Sequence, residues 1–547
     1  MRPQSLYLWH GADLGARHSR EGGVKALSLP RAPAYPHLVV SFWLENSVPP
    51  RTTRLPDGRR FDIVVIGAGI TGLVTALMLS RAGRQVAIVE ARYPGAVATG
   101  ASEGKVSLLQ GGRLGQIARH HPRSLVRAYV DANRDGQAWL LDFCRANRVP
   151  VEHRTDYSYA TTGSGLRRLD AQFAAATAAG LPVERVRDIG LPFATRGALA
   201  LGSQFQVNPA EVVAALVAEL RRRQVPIFGK STVTDVRAGE ICMVETTNGR
   251  LGAHLVVLAT GVPFLDRGLY FAKVAANRSY GVSLALAGSG PEGSYLSLDA
   301  PSRSLRTAAV GGHRELLVGG NGHAVGRHPS PWALVEDLES WAQRHFPGAE
   351  PTGAWSAQDY TSHNQLPFVG KLPRGRGRVY FATGFDNWGL TNGPAAALRI
   401  TAEITGADIP ATLPWVRVIG RRLTRPADLA SGAIEGLTVA GNAARGWTEA
   451  GIRPLVADPP AEGRGMLGRD GNAPVAVSTV DGVTCRLSAI CPHLGGIVSW
   501  NDAEKSWDCP LHGSRFAADG SRLEGPATVP LAPADEPAPA RLRRSDR

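Results

Sequence analysis

Cys491-Pro492-His493-Leu494-Gly495 and Cys509-Pro510-Leu511-His512-Gly513-Ser514 place two thiols and two imidazoles in one short stretch. The pattern is C-x-H, fifteen intervening residues, then C-x-x-H. Thiolate sulfur and imidazole nitrogen are metal donors, and zinc is the simplest ion they would hold. Closed zinc sites use other spacings, so the loops call for a different explanation. A second chemical group lies far upstream, at Gly67-Ala68-Gly69-Ile70-Thr71-Gly72 with Glu90 beyond it. A glycine series of this form leaves room for a pyrophosphate, and a downstream acid can accept a ribose hydroxyl.

The upstream group needs a strand before it and a helix after it. Ile63, Val64, Val65 and Ile66 form an apolar β-branched run that reads as a buried parallel strand. A helix follows from Leu73 to Leu79, closing at Gly83, and a strand from Val86 to Val89 delivers Glu90. Gly67 permits the tight turn, Gly69 lets the phosphates approach the backbone, and Gly72 lets the helix pack closely. The N–H groups of Ile70 and Thr71 then meet phosphate charge at the helix start. Ala91 and the small-residue loop Ala98-Thr99-Gly100 can lie along the same ligand. An apolar strand ending in Ala259-Thr260-Gly261 is expected to return to this sheet. The run Val379 to Gly393 repeats the logic, with Gly384, Gly389, Leu390 and Thr391 at a second helix start.

Between these points the chain alternates helical and strand-like patterns. A helix is expected over Pro122 to Arg145, and another after the N-cap Asn208 and Pro209. Ile241 to Thr247 and Arg250 to Leu258 read as a hairpin about Asn248-Gly249. Strand-like segments from Ser279 to Val318 suggest an inserted antiparallel sheet, followed by a helix from Pro331 to His345. The expected organisation is an extension over 1–60 that is poorly ordered at its start, a main domain over 61–450 and a linker over 451–464. A small β-rich module over 465–531 and a disordered tail over 532–547 complete it. Ser41-Phe42-Trp43-Leu44 is the part of the extension that could dock. A translation start placed too far upstream would also explain that segment.

A length of 547 residues calls for more than one core. Hydrophobic content of 44% and charged content of 20% are ordinary for a soluble protein. The net charge of +14 is scattered over arginines without aromatic interleaving, which argues against nucleic acid as a partner. The apolar stretch Phe61 to Ser80 behind Arg59-Arg60 is explained by the glycine fingerprint rather than by a signal or span. The expectation is a cytoplasmic protein with no membrane partner. Cys144, Cys242 and Cys485 show no pairing pattern and read as buried thiols.

The paired C-terminal loops, with Pro and Gly at their offsets, resemble a Rieske [2Fe–2S] domain. In that family cysteines hold one iron and histidines the other, which makes Cys491, His493, Cys509 and His512 the implied ligands. Trp507-Asp508 and Glu524-Gly525-Pro526-Ala527 extend the likeness across the module. Gly496 and Leu511 stand where high-potential members carry disulfide cysteines, and Phe516 stands where they carry a tyrosine. Ser514 is retained. Fewer hydrogen bonds to sulfur imply a potential toward the lower end of the roughly −150 to +300 mV Rieske range.

The upstream part resembles the D-amino-acid-oxidase/glycine-oxidase family of FAD-dependent oxidoreductases, in particular the subgroup with a C-terminal Rieske domain. The likeness spans about Ser41 to Leu531. It rests on Gly67 to Gly72 with Glu90, Ala98-Thr99-Gly100, Phe271-Ala272-Lys273 leading to Ser279-Tyr280, and Leu317 to Gly320 with His323. Trp355 to Tyr360 and Gly384 to Gly393 complete it. It implies an α/β fold: a Rossmann-type FAD-binding domain, an inserted antiparallel substrate subdomain and a small all-β Rieske domain. FAD would lie across the Rossmann unit, with a small-molecule substrate over its face. Family members hold a substrate carboxylate with arginines near the last glycine-rich turn, whereas this chain has Asp386, Asn387 and Trp388 there. Gln358 and Asp359 occupy the neighbouring segment. Lys273, Tyr280, His323, His363 and Trp388 are the candidates for lining the substrate site.

Three functions follow from these features. The first is oxidation of an amine or amino-acid-like compound, with electrons leaving through the cluster to a soluble acceptor or oxygen. The second is an electron-transfer or redox-sensing protein with no organic substrate, which would cap the flavin with apolar side chains. The third, a nucleic-acid-directed flavoenzyme, would need a basic strip leading to the flavin. The first also requires the cluster loops to fold back over the flavin domain. The His493 or His512 edge would then lie near the flavin or face an outside acceptor.

Overall fold

The computed structural model describes residues 41–535 apart from 287, 311–312, 421–425, 453 and 456–457. The expectations for residues 1–40 and 536–547 lie outside the described residues. Arg60–Ile66 is the central parallel strand, flanked by Val86–Val89 on one side and Gly249–Leu258 on the other. Ile227–Phe228 extends the sheet beyond Val86–Val89, and Val379–Thr383 pairs parallel to Gly249–Leu258. Every strand that feeds a glycine-rich turn therefore ends on the same edge of one sheet. The helix Ile70–Arg81 is buried from Ile70 to Leu79, because helices Pro209–Arg222 and Gly389–Thr405 also pack on it. That explains an apolar stretch with almost no amphipathic period.

The hairpin forms as expected: Cys242–Thr246 pairs antiparallel with Gly249–Leu258, whose end then joins the parallel sheet. Asn208 caps its helix, its side chain accepting from the Ala210 and Glu211 N–H groups. The inserted sheet is larger than the sequence suggests and is antiparallel except where Ser294–Ser297 pairs parallel with Val151–Ala160. In order it runs Glu350–Ser362, Val274–Ala285, His313–Ala324, Arg303–Val310, Ser294–Ser297, Val151–Ala160, Gly197–Val207 and Lys105–Val106. Val151–Ala160 and Gly197–Val207 pair with each other, and their polar residues do not alternate cleanly. Helices Arg113–His120, Gly163–Ala178 and Pro426–Ile452 are further elements beyond those expected.

Ser41 to Leu44 docks on the body. Trp43 packs in a cluster with Ala308, Leu317 and Trp355, and its Nε1 donates to the Ser102 carbonyl at 2.8 Å. In the linker, Pro454 bridges Arg469 and the Leu455 N–H bonds the Arg469 carbonyl at 3.1 Å. Part of the linker is thus pinned by an otherwise open strand edge.

The C-terminal module contains a three-stranded sheet over Arg464–Asp470, Ala473–Val480 and Val483–Ser488. A four-stranded sheet over Ser499–Asn501, Ser506–Asp508, Arg515–Ala517 and Arg522–Glu524 completes it. The module docks on the large antiparallel sheet through buried charges. Arg278 donates to both carboxylate oxygens of Glu504 and to Glu524 at 3.1 Å. Arg515 donates to Glu504 at 2.6 Å, Glu524 at 2.8 Å and Asp508 at 2.9 Å. At the same face Gly513, with φ +80°, leaves no room for a Cβ, which would lie 2.4 Å from the Ala276 Cβ.

Burial works against ionised Glu504, yet Arg278 and Arg515 hold its carboxyl down to about 2, against an ordinary 4.5. Its contribution is therefore fully present above pH 4.5 and is lost as the pH falls towards 2. Arg278→Met should cost up to roughly 3–5 kcal/mol, because it leaves the buried carboxylates of Glu504 and Glu524 sharing the single guanidinium of Arg515. Denaturant unfolding and protease release of the C-terminal module measure this; an unchanged curve and cleavage pattern would show the network to be dispensable.

Candidate functional site

One cavity of about 1080 Å³ runs from the glycine fingerprint to the C-terminal module. At its first end Gly67 has φ +102°, and a Cβ there would lie 2.4 Å from the Ala259 carbonyl oxygen. A Cβ on Gly72 would lie 2.0 Å from the Gly67 oxygen. Gly72 therefore allows the helix to approach the turn and does not itself line the cavity, unlike Gly67, Gly69, Ile70 and Thr71. Thr99 Oγ1 accepts the Ile70 N–H at 3.0 Å, fixing the loop across the helix start. Gly100 stands behind that loop, packed on Leu44.

Glu90 accepts from the Ala68 and Arg92 N–H groups, each at 2.8 Å. Burial raises its pKa against those two bonds. Two oriented oxygens at the end of the second strand fit a ribose, and Ala91, Thr260 and Gly261 line the adjoining wall.

The second helix start also faces the cavity, through Gly384, Gly389 and Leu390. No side chain caps this helix, so its first N–H groups are open to a ligand. Thr391 does not line the cavity. Its hydroxyl donates to Asn133 Oδ1 at 2.6 Å, within a buried set that includes Gln110 and Tyr129. A Cβ on Gly393 would lie 2.9 Å from Thr71 Oγ1, so the two helix starts lean on each other.

The turn between strand and helix is strained and held from both sides. Asp386 and Asn387 both have positive φ, 49° and 68°. Buried Arg113 clamps Asp386 Oδ2 at 2.5 Å and Gln365 Oε1 at 2.6 Å, while Asp359 accepts the Asn387 N–H. Burial pushes the Asp359 carboxyl up to about 7, against its hydrogen bonds from the Tyr360 and Asn387 backbone. Arg113 is thus committed to Asp386 and is not free to hold a substrate carboxylate.

Of the substrate-side candidates, Tyr280 and Trp388 line the cavity. Lys273 does not: it is exposed just before its strand, with Nζ 4.7 Å from the Tyr270 ring centroid. His323 sits behind the wall, stacked on Tyr280 at 5.7 Å. His363 lies at the end of its strand, its N–H bonded to the Lys273 carbonyl at 3.1 Å, away from the cavity lining.

The C-terminal loops bring the four proposed ligands together as two pairs, a thiol pair and an imidazole pair, and among the described residues no three metal-binding side chains converge on one ion. The Cys491 thiol is lowered by a hydrogen bond from Cys509 and by Ser514, against burial. The His493 and His512 rings stand 5.1 Å apart. Burial and the neighbouring His493 push His512 down to about 4, which keeps it in the neutral form that binds metal. Sulfur beside sulfur and imidazole beside imidazole is a donor arrangement suited to two irons. Gly496 abuts Leu511, a Cβ there lying 2.6 Å from Leu511 Cδ1, so the family's disulfide positions are adjacent but filled by other residues. Phe516 is fully buried in the module core.

The model of FAD dependent oxidoreductases matches residues 62–403. The chain belongs to that family. The model of the Rieske [2Fe-2S] domain matches residues 461–535. This oxidoreductase accordingly binds FAD and a [2Fe–2S] cluster. It is 27% identical over 495 residues to a Bacillus subtilis (strain 168) protein described as a Rieske 2Fe-2S iron-sulfur protein, YhfW, covering 90% of this chain and 96% of that one. Its fold is similar to glycine oxidase from Geobacillus kaustophilus, with TM-score 0.53 and 19% identity over 64% of this chain and 95% of that chain. It is likewise similar to L-proline dehydrogenase from P. horikoshii, with TM-score 0.54 and 15% identity over 67% and 99%. Among the described residues no helix is long and apolar enough to cross a membrane.

Sequence reasoning missed Arg113 and Gln365, which meet only in the fold. It also missed Arg522, Leu523, Glu524 and Gly525, which bring the C-terminal module into the wall of the flavin cavity. Their signal was the family segment beginning at Glu524, legible as part of the module and not as part of the other site. Gly69→Leu should abolish FAD binding, because its side chain would project from the cavity wall where the pyrophosphate approaches the backbone. Flavin absorbance of the purified variant measures this, and full occupancy would refute the placement. His512→Ala should remove the iron signal and leave the flavin, as iron and flavin analysis of one sample would show.

Proposed function

We propose that this oxidoreductase takes two electrons from a small organic substrate, an amine or amino-acid-like compound, and passes them through the cluster to a soluble acceptor or oxygen. When bound, FAD supplies two-electron chemistry and the cluster one-electron chemistry. The observation that carries the reading is a hydrogen-bonded bridge between the two sites. Gln358 Nε2 donates to the Gly513 carbonyl at 2.9 Å and to the Tyr360 hydroxyl at 2.9 Å. Gly513 follows His512 directly, and Gln358 and Tyr360 both line the flavin cavity.

The imidazole edges support the same direction of travel. The Phe271 ring meets His493 at 5.1 Å and His512 at 4.9 Å, and Phe271 packs with Tyr360. The His493 side chain is 7% exposed, with Nε2 3.4 Å from Asp266 Oδ1. The edges thus face the oxidoreductase body, the side from which electrons of the flavin site would arrive. A purely electron-carrying flavin would need an apolar cap, whereas Gln110, Arg113, Gln358 and Asp359 make this wall polar. Two structural neighbours are named for oxidation of glycine and proline, which favours an amino-acid-like substrate.

Anaerobic addition of amines and amino acids should bleach the flavin and produce the reduced Rieske electron-spin signal in the same sample. Flavin reduction with the cluster still oxidised over many turnovers would refute the reading. Gln358→Leu should slow appearance of the cluster signal relative to flavin bleaching in the same sample. An unchanged ratio of the two rates would remove the bridge from the path.

A further inference from the structure

The cavity continues beyond the flavin-binding residues to a mouth formed by two helices. Arg113–His120 and Gly163–Ala178 cross where Gly115 lies close against Ala171 and Gln172, a Cβ there falling 3.1 Å from the Gln172 nitrogen. On the first helix and its N-cap, Gly112, Gly115, Gln116 and Arg119 border the cavity, with buried Arg113 beside them. On the second, Ser164, Arg167, Arg168 and Ala171 do so. Each set follows the i, i+3, i+4, i+7 spacing of a single helical face. Each helix therefore turns one face to the opening, and those faces carry Arg119, Arg167 and Arg168.

The charges at this mouth are unbalanced. None of the three arginines makes an ion pair with a described carboxylate. The acids on the same wall are already engaged. Glu103 pairs with Lys105 at 3.2 Å, Asp386 with Arg113, and Glu524 with Arg278 and Arg515. Asp299 accepts N–H and hydroxyl bonds from Thr161 and Thr162. All three are exposed, and all three border the same concave opening, so their positive potentials add there. Guanidinium groups match the planar or trigonal oxygens of carboxylate and phosphate.

We propose that the substrate carries an anionic group, carboxylate or phosphate, remote from its oxidisable carbon, and that Arg119, Arg167 and Arg168 receive this group at the mouth. This rests on the reading that the cavity admits a substrate beside FAD. It adds the substrate's charge class and separates this chain from oxidation of simple uncharged amines. Arg113 is committed to the strained turn, and Arg92 and Arg522 lie beside Glu90 at the other end, which leaves the outer arginines as the cations at this mouth.

Calorimetric titration of the oxidised holoenzyme at constant ionic strength tests this without turnover. The probes are succinate, inorganic phosphate and the neutral succinamide. Succinate or phosphate should bind saturably, the tighter of the two naming the group, and succinamide should not. The exposed pair Arg167→Gln/Arg168→Gln should weaken that binding by about tenfold or more, equivalent to about 1.4 kcal/mol, with FAD and iron contents unchanged. Absence of binding by both anions, equal affinity in the double variant, or equal binding of succinamide would overturn the proposal. Tighter binding of a single-stranded oligonucleotide, lost in the same variant, would assign the mouth to nucleic acid and overturn it as well. Because the protein stays oxidised, failure here leaves electron transfer to the cluster standing. Failure of cluster reduction likewise leaves the anion site standing.

Discussion

Arg278 carries a charge into the interface between the large antiparallel sheet and the C-terminal module, and most of what the two sites do together depends on it. Burying a guanidinium costs several kcal/mol unless carboxylates and hydrogen bonds replace its water. Glu504 supplies both oxygens to Arg278 and one to Arg515, so a single carboxylate ties the sheet to the module. Glu524 repeats the link. A buried network of this kind gives little net stability compared with apolar packing. Its consequence is positional, since a shift of a few ångströms would leave charges unpaired in the interior.

That fixed seat determines where the cluster loops point. Gly513 can touch Ala276 and Gln358 only because it has no Cβ, and Arg327 Nε reaches the Pro510 carbonyl at 2.9 Å. Both imidazoles then lie against Phe271. On the neighbouring side of the same contact, Arg522 to Gly525 enter the flavin cavity. The two candidate cofactor sites therefore share walls, although 401 positions separate Glu90 from Cys491.

The motifs were legible because their chemistry is local. Gly67 to Gly72 with Glu90 sit within one strand-helix-strand unit, and the cysteine and histidine loops carry their own spacing. The interface was not legible, because Arg278 and Glu504 are 226 residues apart and each alone reads as a surface charge. Arg113 was hidden for the same reason. Lys273 was misplaced because it sits one residue before its strand, where alternation does not yet govern direction. Val151–Ala160 escaped notice because its first half is only partly covered and carries Glu152, His153 and Arg154. Gly72, Gly100 and Thr391 belong to the expected motifs but act from behind the wall, through packing and hydrogen bonds, which spacing alone does not distinguish from ligand contact.

The central claim is that a fixed module accepts electrons from the flavin site of its own chain. Its most direct test is the rate at which the cluster becomes reduced after rapid anaerobic reduction of the flavin, followed over protein dilution and added glycerol. Fixed docking predicts a first-order rate that changes with neither protein concentration nor viscosity. A rate that falls on dilution would mean transfer between molecules. A rate that falls with viscosity would mean a module that must move before it reacts, and either result would contradict the account.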